Sequence, residues 1–134
     1  MLSGKCACEG VRFEIDGKLG PIMFCHCSRC RRSTGSAFVS AASVKLGSLR
    51  VVAGNELLRE WENCYLCSRC GSMLYGESKE YGIQRVRIGT IDGDPGSRPI
   101  AHIFVGSKAV WDSIPDDGLK RFEESAPLEY FMPG

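Results

Sequence analysis

No stretch of this 134-residue chain stays apolar for the ~20 residues that a membrane-spanning helix needs, so no helical span is expected. The opening residues, Met1 to Lys5, also lack the apolar segment of a secretory leader. A chain without a leader is expected in the cytoplasm, a reducing compartment where close-set thiols favour metal over disulfides. An excess of one charge is missing as well: 17 Lys and Arg against 16 Asp and Glu leave a formal +1. Without a basic surplus there is no global electrostatic footprint for nucleic acid. Internal repeats, linkers and low-complexity tracts are absent, and the length suits one domain over residues 1–134.

Cysteine, by contrast, is abundant, with eight residues in a few tight groups. Cys6 and Cys8 form a C-x-C, Cys25, Cys27 and Cys30 a C-x-C-x-x-C, and Cys67 and Cys70 a C-x-x-C with Cys64 just upstream. Thiolates two or three residues apart converge readily on one ion, whereas a disulfide between such near neighbours is strained. Joining the two outer pairs gives a closed four-thiolate site that clips the N-terminus to the middle of the chain. The middle group supplies three ligands, so its fourth position falls to water, to a substrate, or to Cys64, His26 or His102. Closed tetrahedral zinc sites are structural, and open ones support chemistry.

Hydrophobic alternation reads mostly as strand. Val11, Phe13 and Ile15 alternate with Arg12, Glu14 and Asp16, and Val86 and Ile88 with Arg85 and Arg87. Ile22–Phe24, Ala37–Val44, Leu49–Val52 and Ile103–Val105 are further strand candidates, with Gly17–Pro21 a turn and Asp92–Pro99 a loop. Ser28 is placed to cap a short helix through Arg32 that stops at Gly35. A short helix is expected after Pro115 and a loosely held tail from Pro127. His26 should point away from its flanking cysteines and make a structural hydrogen bond. His102 reads as a strand-edge histidine, Cys64 as a small buried residue, and Trp61 and Trp111 as core.

Arg29, Arg31 and Arg32 crowd the middle cysteines. They are either a solvated helical face or a clamp for a substrate carboxylate, which guanidinium matches with paired hydrogen bonds.

The segments Gly4–Cys8, Cys25–Phe38, Cys67–Gly71, Gly89–Asp92 and Ile103–Trp111 together resemble the glutathione-dependent formaldehyde-activating enzyme family, which includes centromere protein V. The resemblance runs from residue 4 to about 122. It implies a mainly β, multi-sheet zinc-binding fold related to methionine-R-sulfoxide reductases. It further implies two zinc ions, a structural one on Cys6, Cys8, Cys67 and Cys70 and a catalytic one on Cys25, Cys27 and Cys30. The implied activity is that of a carbon–sulfur lyase, adding a thiol such as glutathione to formaldehyde or another small aldehyde. Substrate contacts would come from Arg29, Arg31 and Arg32. Two positions depart from the family pattern: Glu9 stands where glycine is usual, and Cys64 is extra. Competing readings are a non-catalytic zinc module that binds protein or nucleic acid, and methionine sulfoxide reduction through Cys64.

Overall fold

The structure, a computed structural model, describes residues 1–133. The strands in chain order are β1 (Leu2–Lys5), β2 (Arg12–Ile15), β3 (Ile22–Cys25), β4 (Val39–Lys45), β5 (Leu49–Ala53), β6 (Leu58–Trp61), β7 (Cys64–Cys67), β8 (Met73–Ser78), β9 (Ile83–Arg87), β10 (Pro99–Ile103) and β11 (Lys120–Arg121). One α-helix, α1 (Ser28–Thr34), follows β3. A three-stranded sheet has the order β1-β2-β5, and an eight-stranded sheet the order β11-β10-β3-β4-β9-β8-β7-β6. Pairing is antiparallel except that β10 runs parallel to β3 and β11. The protein is mainly β, as its alternation and its family resemblance predict.

Period-2 alternation divides the long sheet into two faces. Ala42, Val44, Leu74 and Val86 pack on Val11, Phe13 and Ile15 of the small sheet, forming the larger core. On β3, Ile22 belongs to that core, whereas Met23 and Cys25 face a second cluster with Ala101, Ile103 and Ala126. The opposite face of the long sheet therefore carries Cys25, and on β9 it carries Arg85 and Arg87, which alternate with the buried Val86.

Several local expectations are corrected. The strand near residue 86 spans Ile83–Arg87, and Ile88 opens a 3-10 turn. The strand expected over 103–105 lies at Pro99–Ile103 and ends where Phe104 takes a left-handed φ of 57°. Among the described residues no α-helix follows Pro115. There the Asp117 side chain accepts from the Leu119 N–H at 3.0 Å and Gly118 has φ 76°, both of which compete with helical turns. The chain instead forms β11, and the Phe122 N–H donates to the His102 carbonyl at 2.9 Å. The tail is held as well: Leu128–Tyr130 form a 3-10 turn, Ala126 is buried, and Tyr130 and Phe131 pack on the second cluster. Trp61 and Trp111 are surface residues, 53% and 70% exposed, because β6 is a sheet edge and Trp111 sits in a loop.

Candidate metal centre

Cys6 and Cys8 lie on the turn that leads from β1 into β2, while Cys67 ends β7 and Cys70 lies on the turn into β8. Their four sulfurs all fall within 4.8 Å of one another. Cys6 Sγ is 3.5 Å from Cys8 Sγ, which is 3.8 Å from Cys67 Sγ. The donors around them aim at sulfur: the Val11 N–H reaches Cys6 Sγ at 3.2 Å, and Arg69 Nε–H reaches Cys8 Sγ at 3.2 Å. Hydrogen bonds from the Gly10 backbone and then from Arg69 hold the Cys8 thiol below its ordinary value. Ser72 brings Cys70 down to about 5, while burial raises Cys6. The turn needs close backbone approach. Gly54, at φ 82°, lies so near the Gly10 carbonyl that any Cβ would collide with it.

The second group forms where β3 runs into α1. Cys25 ends the strand, and Cys27 caps the helix by accepting from the Cys30 N–H at 3.3 Å. Sulfur therefore takes the capping place expected of Ser28. The helix stops at Gly35, as its sequence predicts, with φ 70° and an N–H donated to the Arg31 carbonyl at 2.7 Å. The sulfurs of Cys25, Cys27 and Cys30 lie within 4.8 Å of one another, and among the described residues no fourth His, Cys, Asp or Glu joins them. A hydrogen bond from Cys30 holds the Cys25 thiol low and drives Cys30 well above the ordinary range.

His26 turns away from its neighbours and is buried, with Nε2 2.9 Å from His102 Nδ1. His102 is buried too, correcting its strand-edge reading, because β11 covers β10. Its Nε2 lies 2.7 Å from Asp117 Oδ2. Asp117 was missed because only the parallel pairing of β10 with β11 brings it near.

A cleft of about 440 Å³ opens between α1 and the adjoining face of the long sheet. Its lining includes Cys27, Cys30, Arg29, Cys64, Arg85 and Arg87. Arg29 sits at the rim, its guanidinium 4.9 Å from the Trp61 ring centroid and 3.8 Å from Glu62. Arg32 lines a neighbouring cleft with Trp61, and Arg31 lines neither. Cys64 is half-buried with Sγ 3.8 Å from Arg29 Nη2, and it belongs to neither cysteine group. Arg85 and Arg87 escaped the sequence reading, which placed them on the outer side of a one-faced strand. Two like charges at i and i+2 on one strand face were the available signal.

Either cysteine group could hold a metal ion, and no helix of the described residues is long and apolar enough to cross a membrane. No curated protein shows significant similarity to the chain. Among solved structures, a Rhodobacter sphaeroides protein determined as a Northeast Structural Genomics target resembles it with a TM-score of 0.59 and 27% identity. That likeness covers 72% of this chain and 97% of the other. The family described as glutathione-dependent formaldehyde-activating enzyme matches residues 1–107, which take in both cysteine groups and the first ten strands. With four-fifths of its length matched, cysteine groups included, the chain belongs to the glutathione-dependent formaldehyde-activating enzyme family.

Proposed function

We propose that the protein is a zinc-dependent carbon–sulfur lyase-type enzyme that adds a thiol, glutathione or a similar one, to formaldehyde or another small aldehyde. The observation that carries this reading is three converging thiols, with no fourth His, Cys, Asp or Glu beside them among the described residues, at the wall of an open cleft. The donor sets suit zinc. Thiolates about 2.3 Å from a tetrahedral ion lie about 3.8 Å apart, close to the spacings of Cys6, Cys8 and Cys67. Cys6, Cys8, Cys67 and Cys70 would hold a structural ion, and Cys25, Cys27 and Cys30 a catalytic one. Zinc at the second site would supply an open position that lowers the pKa of an incoming thiol and keeps it as thiolate.

The protein's own residues do the remainder. The Cys30 N–H fixes Cys27, and α1 fixes Cys30, so the cleft wall is rigid where the thiol arrives. Arg29, stacked on Trp61 and paired with Glu62, places a cation at the rim where an anionic group could arrive. The thiolate sulfur forms a bond to the carbonyl carbon, the C=O π pair moves to oxygen, and that oxygen takes a proton from solvent. The product is a hydroxymethyl thioether. Zinc-edge absorption with and without glutathione tests the reading. A sulfur ligand added at the three-cysteine ion supports it, alongside ¹³C-formaldehyde conversion faster than the spontaneous reaction and lost in Cys27→Ser. An unchanged zinc environment at millimolar thiol overturns it.

A further inference from the structure

Arg85 and Arg87 stand side by side on one face of β9, and both line the cleft that Cys27 and Cys30 wall. Neither is fully exposed, and among the described residues no carboxylate forms an ion pair with either one. Arg87 Nε is buried without a hydrogen-bond partner. Arg85 reaches only the neutral Ser43 hydroxyl, at 3.2 Å, and the face of Phe131, at 4.8 Å. The two glutamates of the same cleft are engaged elsewhere: Glu62 with Arg29, and Glu77 with the Gln84 amide at 3.1 Å. Cationic groups withdrawn from water are costly unless they are paired. Burial is the main cause that pushes Arg85 down to about 10, with Arg87 adding to it and Cys25 and Cys30 acting against it.

We infer that Arg85 and Arg87 form an anion subsite on the cleft floor that receives a carboxylate carried by the incoming thiol. This rests on the reading that a thiol enters at the three-cysteine site, and it narrows the substrate class. Arg85 and Arg87 line the same cleft as Cys27 and Cys30, so a ligand that brings its sulfur to the thiols can set a carboxylate against the guanidiniums. Carboxylate-bearing thiols fit. A neutral or cationic thiol of equal length leaves the guanidiniums unpaired. Arg29 then has the lesser part, at the rim.

The test loads the full-length protein with Co²⁺ and follows thiolate-to-metal charge-transfer absorption during titration with three thiols of matched length. These are 3-mercaptopropionate, 2-mercaptoethanol and cysteamine. The expected order is 3-mercaptopropionate tightest and cysteamine weakest, with a gap of roughly tenfold between the first two. Arg87→Gln and Arg85→Gln should each bring that ratio toward one, and Arg87→Lys should restore part of it. Equal affinities in the parent protein overturn the subsite while leaving thiol entry intact. No spectral change with any thiol defeats thiol entry itself. If the glutamine variants fail to bind Co²⁺, the parent's ratio decides alone.

Discussion

Cys8 Sγ and Cys67 Sγ lie 3.8 Å apart although 59 residues separate them in the chain. Their contact fastens the turn between β1 and β2 of the small sheet to the β7–β8 hairpin of the long one. A metal ion held there adds its binding free energy to folding, because the unfolded chain has no such site. Cys67 is fully buried. Cys67→Ala should therefore cost several kcal/mol and remove one metal equivalent. Thermal melting with metal analysis checks this: an unchanged melting temperature and metal count would show that these four thiols do not share an ion. Chelator should strip the three-cysteine site first, since it has fewer ligands and faces the cleft.

The Asp117 carboxylate gives the second prediction. Its hydrogen bond from His102, helped by the Leu119 N–H, holds its pKa below the ordinary 3.8. A folded-state pKa below the unfolded value means that the ionised form stabilises the fold. That contribution is fully present above about pH 4 and is lost as pH falls through the lowered value. Asp117→Asn should remove this part of the acid limb, so the variant's stability changes less between about pH 5 and pH 2. Urea midpoints across that range measure it. Parallel curves for the two proteins would mean that the contact carries no linkage.

What the sequence made legible was local. Cysteines two or three residues apart that could share a metal ion, the alternation of β2, and the glycine that ends α1 all depend on near neighbours in the chain. The β6–β7 hairpin was missed because its turn residues, Glu62 and Asn63, both take positive φ, 49° and 64°. A glycine at such a position is the usual written signal, and glutamate hides it. Arg85, Arg87 and Asp117 could not be placed beside the cysteines or histidines without the strand order, which no local pattern specifies. Trp61 was misread for the same reason: an aromatic residue on an edge strand looks like one from the core, and Trp111 sits in a loop that no local pattern marked as exposed.

Phe131 carries the third prediction, since the tail that holds it looked loose in sequence. Its ring lies 4.8 Å beneath the Arg85 guanidinium, while Tyr130 packs edge-on to Phe122 at 5.3 Å. Phe131→Ala removes apolar contact with the second core cluster and the cation–π support of Arg85. For a half-buried ring the expected loss is about 2 kcal/mol, below that of a fully buried Phe. Chemical denaturation at neutral pH measures it, and a midpoint equal to the parent's would mean that the tail contributes no packing.

Glu9 supplies the last prediction. It takes φ 64°, the left-handed region, where glycine is the residue of least strain. That conformation costs an L-residue roughly 1–2 kcal/mol, whereas glycine adopts it without steric penalty. The compensation that glutamate offers is small. Its carboxylate lies 3.9 Å from Lys5 and 3.6 Å from Arg12, with all three side chains substantially exposed, and such pairs contribute little. The Glu9 N–H bond to the Cys6 carbonyl, 2.9 Å, needs no side chain and survives substitution. Glu9→Gly should then stabilise the protein by roughly 0.5–1 kcal/mol after glycine's extra unfolded-state entropy is counted. Glu9→Ala is the control, because it removes the ion pairs but keeps the strained backbone. If alanine stabilises as much as glycine does, charge rather than φ governs the position, and the backbone argument fails.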